Sequence, residues 1–342
     1  MIQPSEFGRL VGKEEVARLI GPYIKTRLPE GSGEWQAMTQ RLSDNLAIRE
    51  RKAKPLTTPD DDRAPRRAQP SKWYAAAVAL RDVVLRRGSK PAHHGRPGAL
   101  AQKRTVKDIY EQRWGGRDGD APLFSDSTAA FEWGQDRLVM QSAAIKRVYL
   151  LYLYRLIERL SPKSVLEVGC GNGVNVALLA NRFPGIAFRG VELTAAGVDQ
   201  CRRLSATALQ PALSEFSPEP LLSDKAHCDV EFDQGDAAHL PYATGAFDLV
   251  ITILALEQME KIRDSALAEI ARVSRNHAVM IEPFRDWNTE GLRQRYVRSH
   301  SYFSGAVGEL ERYGLTPVFL GTEFPSKVTL GVGVVLARKV AP

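Results

Sequence analysis

The apolar positions in the second half of the chain predict strands that alternate with helices. The run 165–168 is short and apolar, as expected of a buried parallel strand. A helical stretch follows at 174–183, and Pro184 ends it because proline cannot continue a helix. Further apolar runs predict strands at 187–191, 230–237, 247–253, 279–283 and 332–339. This alternation favours an α/β fold built on a mainly parallel sheet.

The segment 144–160 is the most apolar helical stretch of the chain. Its apolar residues form one broad face, and its five charged residues fall largely on the other face. Five charges within 17 residues exclude a membrane span. We expect a helix that packs beside the first strand, with a role at a membrane surface as the weaker alternative.

Three alternating glycines mark the turn between the first strand and its helix. Gly169, Gly171 and Gly173 let the backbone approach a ligand closely, and the new helix offers free N–H groups there. Glu192 ends the second strand, where nucleotide-binding sheets place a carboxylate for ribose, and Asp236 ends the third. Each acid has a simpler interpretation as a helix cap, and the glycines as a tight turn. Their joint position at the carboxyl ends of successive strands favours a ligand crevice.

The spacing within this turn excludes two common nucleotide motifs. A dinucleotide fingerprint needs glycine or alanine at position 174, where Val174 stands. A phosphate-binding P-loop needs Gly-Lys followed by Ser or Thr, and neither follows this turn.

The motif Glu167-x-Gly169-x-Gly171-x-Gly173 resembles motif I of the class I S-adenosylmethionine-dependent methyltransferases. The stretches 240–242 (Leu-Pro-Tyr) and 247–250 (Phe-Asp-Leu-Val) resemble the signature of the methyltransferase-11-like branch. The resemblance covers roughly residues 140–340, and it extends to a helix ending near 313 before a sixth strand. It implies a Rossmann-like sheet of seven mostly parallel strands, with an antiparallel strand near its end.

The resemblance also implies the cofactor S-adenosyl-L-methionine and the residues that contact it. The expected cofactor-binding residues are Glu167, Gly169, Gly171, Gly173, Glu192, Asp236, Ala237 and Ile253. No metal is expected, because the three cysteines show neither Cys-x-x-Cys spacing nor histidine partners in a metal-ligand arrangement.

The expected reaction is methyl transfer to an oxygen or nitrogen nucleophile. The sulfonium already activates the methyl group, so the protein must mainly align the nucleophile, and a base is needed only for a group such as a hydroxyl. The candidate catalytic residues are His300, Glu257 and Glu282, and the candidate substrate residues are Asp286, Trp287 and Tyr302. Relatives often have Glu-His where Glu257-Gln258 stands, and His300 is the leading base by its intrinsic pKa. Simpler roles are a helix charge for Glu257, a buried filler for His300 and a core residue for Trp287.

The excess positive charge lies in the N-terminal third. Residues 1–120 carry 24 Lys and Arg against 15 Asp and Glu, whereas the remainder is slightly acidic. We expect four parts, a helical segment at 1–51, a Pro-rich linker at 52–70, a helical lid region at 71–139 and the methyltransferase domain at 140–342. Helical stretches are expected at 12–28 and 71–87, and His93-His94 is expected to be solvated surface. Because all predicted strands lie beyond residue 160, we expect residues 1–100 to be separable from the domain.

Three further stretches are candidates to cover the cofactor. Residues 109–115 and 131–134 precede the first strand and carry aromatic side chains. The connection 210–227 is unusually long, and it is either a second lid or a plain surface excursion.

Three classes of function remain open from the sequence. The first is transfer to a small-molecule, glycan or lipid acceptor. The second is an RNA methyltransferase that uses the basic N-terminal region, although no Asn/Asp-Pro-Pro-Tyr motif follows strand four. The third is a cofactor-binding scaffold without turnover. A cytoplasmic location is expected because no signal-peptide pattern is visible and cysteines are few, whereas the sequence leaves the oligomeric state open.

Overall fold

The structure is a computed structural model that describes residues 7–29, 31–53, 105–115 and 127–340. The α-helices in these ranges are α1 (Lys13–Ile20), α2 (Gly33–Ala53), α3 (Val106–Gly115), α4 (Ala144–Leu160), α5 (Val174–Arg182), α6 (Ala195–Ser205), α7 (Pro211–Phe216), α8 (Arg263–Val273) and α9 (Gly291–His300). The strands are β1 (Ile24–Leu28), β2 (Thr128–Trp133), β3 (Asp136–Gln141), β4 (Ser164–Val168), β5 (Ala187–Glu192), β6 (Glu231–Gln234), β7 (Phe247–Ile253), β8 (Ser274–Glu282), β9 (Leu315–Gly321), β10 (Ser326–Lys327) and β11 (Gly333–Lys339).

The central feature is a seven-stranded sheet in the order β6-β5-β4-β7-β8-β11-β9. Strands β4 to β8 pair in parallel, and β11 is antiparallel to both of its neighbours. The predicted Rossmann-like sheet with a late antiparallel strand is therefore confirmed. Because β4 lies between β5 and β7, connections leave it towards both sides, which opens a crevice at its carboxyl end.

Helices cover both faces of this sheet, so its strands are apolar on both sides. Val165 of β4 and Ile251 of β7 belong to the core formed with α4 and α5. The adjacent residues Leu166 and Val250 point to the opposite face, where they pack with Leu267 of α8. The predicted helix 144–160 coincides with α4, and it packs against this sheet as expected.

A second sheet of four antiparallel strands, in the order β1-β3-β2-β10, was not predicted. The expectation of one helix over 12–28 is wrong at its end, because α1 ends at Ile20 and β1 pairs with β3. The expected covering segment 131–134 instead continues β2 into the turn of the β2–β3 hairpin, where Gly134 takes a positive φ of 57°. Sheet residues therefore do not all lie beyond residue 160.

The N-terminal elements pack onto the main domain. Val16 and Ile20 of α1 are fully buried in the same core as α4, and Arg155 of α4 pairs with Glu15 at 2.6 Å. Helix α2 contacts α9, where Arg295 binds both carboxylate oxygens of Glu50. The extension is helical over much of its described length, but its strand and its buried residues overturn the expectation that it is separable.

Several expectations fall outside the described residues. The Pro-rich linker beyond residue 53, the helical stretch 71–87 and His93-His94 all lie in the undescribed range 54–104. Among the helices that the structure does describe, none is long and apolar enough to cross a membrane. The helix expected before the sixth strand is a 3-10 helix at Val307–Tyr313.

Candidate functional site

A cavity of about 510 Å³ lies at the carboxyl ends of β4, β5, β6 and β7. Its walls come from the turns after these strands, from α3 and from the first two turns of α4. This volume is within the range of small-molecule sites. A larger groove of about 890 Å³ lies at the opposite edge of the sheet, near the amino ends of β4, β5 and β7. Ligands of doubly wound sheets bind at the carboxyl ends, so we assign the site to the smaller cavity.

The three glycines of the turn after β4 all take positive φ angles, between 61° and 77°. Other residues rarely adopt this backbone, which explains glycine at these positions. A Cβ on Gly169 would lie 2.7 Å from Cβ of Ala255, and one on Gly171 would lie 3.0 Å from the Trp114 ring. Gly169 and Gly171 line the cavity, and Gly173 is packed behind it against Phe232. The turn thus brings bare backbone to the cavity wall.

Glu192 joins the end of β5 to this turn. One carboxylate oxygen accepts a hydrogen bond from Gly171 N at 3.1 Å, and the other accepts from the backbone and hydroxyl of Thr194. Burial raises the pKa of Glu192, and these hydrogen bonds oppose the rise. Glu192 lines the cavity, together with Asp236, Ala237 and Ile253. Asp236 is exposed, and it accepts a hydrogen bond from Ala238 N at 2.9 Å.

Glu167 lies beneath the turn rather than on the cavity wall. Its side chain is 1% exposed, and one oxygen accepts a hydrogen bond from Asn175 Nδ2 at 3.0 Å. The other oxygen has no hydrogen-bond partner among the described residues. Burial raises the pKa of Glu167 to about 8. Burying a carboxyl oxygen without a hydrogen-bond partner costs folding free energy, and such groups in a folded protein often have a functional explanation.

These residues fit S-adenosylmethionine, the cofactor that the motif implies. The glycine turn gives close backbone approach, and Glu192 and Asp236 stand at the ends of two neighbouring strands. Glu167, with its unsatisfied oxygen, lies beneath the glycine turn and does not line the cavity. Among the described residues, no cluster of His, Cys, Asp and Glu is arranged to hold a metal ion.

The loop after β7 carries a second acidic group into the cavity. Leu254 has a positive φ of 51°, which is unusual for a branched residue and marks local strain. Leu254, Ala255 and Glu257 line the cavity directly after this bend. Burial raises the pKa of Glu257 to about 7. The hydrogen bond from Gln258 Nε2 at 3.0 Å and nearby cations act against the rise.

Glu282 lies behind this loop and is fully buried. One carboxylate oxygen accepts hydrogen bonds from Ala255 N at 3.0 Å and Leu256 N at 3.1 Å. Burial, and then the negative charge of Glu257, raise the pKa of Glu282 to about 8. Glu282 is absent from the cavity wall, and its contacts hold the loop that presents Glu257.

Four other candidates lie outside the cavity wall. His300, at the end of α9, stacks on Tyr296 with ring centroids 4.0 Å apart, and it contacts Arg49 of α2. Burial lowers the pKa of His300 to about 4. The Tyr302 ring lies 5.3 Å from that of His300. The structure therefore groups His300 and Tyr302 at the α2–α9 contact, and neither residue lines the cavity.

Asp286 and Trp287 follow β8, but they stabilise the fold around it. Asp286 accepts a hydrogen bond from Val307 N at 2.8 Å, at the start of the 3-10 helix. Trp287 packs against Phe284 and against the backbone of Gly331 and Gly333. Neither residue lines the cavity.

Helix α3 covers the cavity, as expected for residues 109–115. Tyr110, Arg113 and Trp114 all line it. Glu111 fixes the helix in place, because its two oxygens accept hydrogen bonds from Ala195 N (3.1 Å) and Ala196 N (3.0 Å) at the start of α6. The connection 210–227 does not reach the cavity wall.

The sequence interpretation missed the contribution of α4 and of the 3-10 helix Glu260–Ile262. Lys146, Tyr149 and Leu150 reach the cavity from the first two turns of α4, and Lys261 and Ile262 reach it from the 3-10 helix. Lys146 is exposed although its neighbours in α4 are largely buried, and this break in the apolar face was a usable signal.

The fold and the cavity agree with what comparison to known proteins finds. The sequence model of the family described as "Methyltransferase domain" matches residues 166–281. A fatty-acid O-methyltransferase of Mycolicibacterium smegmatis is 33% identical over 113 residues, which are 33% of this chain and 34% of that protein. A norajmaline N-methyltransferase of Rauvolfia serpentina is 32% identical over 113 residues, which are 33% of this chain and 32% of that protein. The chain thus spans about a third of the length of these curated relatives.

A solved S-adenosylmethionine-dependent methyltransferase of Methanosarcina mazei superimposes with a TM-score of 0.43 and 17% identity. The superposition covers 55% of this chain and 98% of that chain. The family match spans most of strand β4, the glycine turn and the strands up to β8, whose carboxyl-end turns form much of the cavity wall. Residues 166–281 are therefore similar to the methyltransferase-domain family across this part of the site.

Proposed function

We propose that this protein transfers the methyl group of S-adenosylmethionine to an oxygen or nitrogen atom of a small-molecule or lipid-linked acceptor. The observation that carries the proposal is the convergence of the glycine turn, Glu192 and Glu257 on one cavity. The relatives include proteins named as a fatty-acid O-methyltransferase and a norajmaline N-methyltransferase, which supports this range of acceptors.

The cofactor is assigned to the side of the cavity formed by β4, β5 and β6. Gly169 and Gly171 would let it lie against the backbone, Glu192 and Asp236 would accept hydrogen bonds from its hydroxyl or amino groups, and Ile253 would contact it from β7. When bound, it supplies a methyl group that the sulfonium has already activated. Helix α3 excludes water from this side by placing Trp114 over the turn.

Glu257 is the group that we assign to proton transfer. It lies on the cavity wall, and a pKa of about 7 places its titration where a general base works best. For a hydroxyl acceptor, Glu257 would accept the proton as the oxygen attacks. Burial also raises the pKa of Tyr149, which lines the same cavity, so its hydroxyl stays neutral.

Glu282 positions Glu257 rather than contacting the acceptor. Its carboxylate binds the N–H groups of Ala255 and Leu256, which directly precede Glu257. These two hydrogen bonds hold the loop after β7 in its strained conformation at Leu254. His300, Asp286, Trp287 and Tyr302 have structural contacts outside this arrangement, and our proposal gives them no part in methyl transfer.

The test is turnover with labelled cofactor. The protein is incubated with S-adenosylmethionine that carries a trideuteromethyl group, together with separate pools of fatty acids, phenols, secondary amines and total RNA. Mass spectrometry then measures S-adenosylhomocysteine and the labelled product. The proposal requires label in a small-molecule or lipid pool. Label in RNA alone would replace the proposal with an RNA methyltransferase. Cofactor binding with no product in any pool would replace it with a cofactor-binding scaffold.

A further inference from the structure

The cavity wall carries a group of basic residues that the proposed chemistry does not use. Lys107 and Arg113 come from α3, Lys146 from α4 and Lys261 from the 3-10 helix after β7. We infer that this basic rim, defined as these four residues, binds an anionic group, a carboxylate or a phosphate, on an otherwise apolar acceptor. The inference rests on the proposed function, because it names the class of acceptor for the same cavity.

Three of the four rim residues form no ion pair with a described residue. In the part of the chain that the structure describes, no ion pair involves Lys107, Arg113 or Lys261. By contrast, arginines elsewhere in the domain are held by carboxylates, such as Arg155 by Glu15 and Arg272 by Glu269. Three basic side chains from two separate elements at one opening, without carboxylate partners, are expected to attract an anion.

Arg113 is also held in place for binding. Its guanidinium lies 5.3 Å from the centroid of the Trp114 ring and 5.5 Å from that of Tyr110. Both contacts are of the cation–π type, which restrains the side chain without neutralising its charge. A planar guanidinium that is already oriented suits a carboxylate or phosphate, because two N–H groups donate to two oxygens.

Three acids line the cavity together with the four basic residues of the rim. Glu192 and Asp236 stand at the ends of β5 and β6, and Glu192 is engaged by the glycine turn. Glu257 is the acid that interacts with the rim, because the charges of Arg113 and Lys146 act to lower its pKa, and the four basic residues outnumber it. Repulsion by the rim disfavours a cationic acceptor, and attraction favours an anionic one.

The cavity wall also carries apolar side chains. Val106, Leu150, Met259 and Ile262 line it beside the ring of Tyr149. An acceptor with a hydrocarbon or aromatic body would bury that body here, with its anionic group at the rim. The chemical class that satisfies both parts of the wall is an anionic amphiphile.

The experiment uses calorimetry on the full chain saturated with S-adenosylhomocysteine. The probes are dodecanoate, dodecyl phosphate, dodecanol and dodecyltrimethylammonium, which share one chain and differ in the head group. At least one of the two anions should bind on the order of tenfold more tightly than dodecanol, as expected for a hydrogen bond to a charged group. The preferred anion shows whether the site suits a carboxylate or a phosphate, and its advantage should fall as salt is raised.

A variant with Lys107→Gln, Arg113→Gln and Lys261→Gln should bind the anions no better than dodecanol. The matched control replaces three exposed basic residues away from the cavity, by Lys25→Gln, Lys163→Gln and Arg203→Gln, and it should keep the preference for anions. The affinity for S-adenosylhomocysteine is measured on each variant, so failure of cofactor binding is seen separately. Equal binding of dodecanol, preference for the cation, failure of all four probes to bind, or an unchanged preference in the rim variant would overturn the inference.

Discussion

Glu257 follows strand β7, Glu282 ends the neighbouring strand β8, and the negative charge of Glu257 raises the pKa of Glu282. Both carboxyls are buried enough to titrate near neutral pH, at about 7 and about 8. Their surroundings nevertheless separate their roles, because Glu257 lines the cavity and Glu282 binds backbone N–H groups behind it. When only one of two carboxyls is exposed to a ligand, that carboxyl can act in catalysis while the other holds it in position.

Replacing Glu257 by Gln removes the proposed base without changing the shape of the side chain. For a hydroxyl acceptor, kcat should fall by roughly 10²–10⁴-fold, while the affinity for S-adenosylhomocysteine is unchanged. In the unmodified protein, kcat/KM should rise with pH until about 7, because the base must lose its proton. This rise should be absent in the variant. A variant that keeps full turnover would mean that alignment alone drives the reaction.

Glu282 should make the protein less stable as pH rises. Its folded-state pKa is raised from 4.5 to about 8, so the folded state holds a proton that the unfolded state has lost. Stability from this group is therefore present below about pH 4.5 and is lost as pH rises to about 8. Glu282→Gln should flatten the decline in the free energy of unfolding over this window, measured by urea titration. Glu215→Gln, at an exposed position, is the control and should leave the slope as it is.

At the scale of elements, helix α3 depends on α6 for its position over the cavity. Glu111→Ala removes both hydrogen bonds to the start of α6, and a hydrogen bond to a charged group contributes about 1.5–3 kcal/mol. We expect faster hydrogen exchange in α3 and weaker binding of S-adenosylhomocysteine. The control is Glu34→Ala, an exposed first-turn acid of α2. Unchanged exchange in α3 would show that other contacts hold the helix.

Elements with a strong local pattern were predicted with nearly correct bounds. For the helix α4 and the strand β7, the predicted bounds agree with the observed ones at both ends, because apolar residues recur throughout each element. The strand β1 was missed because it pairs with β3, more than 100 positions away, and no local pattern indicates that pairing. A signal was present for the hairpin, since Gly134-Gln135 forms a two-residue turn between Trp133 and Asp136.

The same dependence on a local sequence pattern applies to the candidate site residues. Gly171 and Glu192 were placed from a motif whose parts are joined by neighbouring parallel strands, and the structure brings them together. His300 was chosen for its position before the next helix and for its intrinsic pKa. Its contact with Arg49 comes from α2, 251 residues away, and no local pattern in the sequence indicates that contact.

At the scale of the molecule, the N-terminal elements are part of the domain core. Ile20 of α1 is fully buried, whereas Ile48 of α2 is 43% exposed. Ile20→Ala should lower the free energy of unfolding by about 2–5 kcal/mol, and Ile48→Ala should stay within about 0.5 kcal/mol of the unmodified protein. Thermal or urea unfolding measures both. Equal stability of the two variants would mean that the N-terminal segment is a separable extension and not part of the core.

The most direct test of the account is calorimetric titration of the full chain with S-adenosylhomocysteine, NAD and ATP. S-adenosylhomocysteine should bind at one site per chain, with no comparable binding of the other two. Gly171→Val should abolish binding, because a side chain there meets the Trp114 ring and requires a left-handed backbone. Gly134→Val is the matched control, since it has a similar φ of 57° but open space around it, and it should bind as before. Tight binding of NAD or ATP, or full binding by Gly171→Val, would contradict the assignment of this cavity to S-adenosylmethionine.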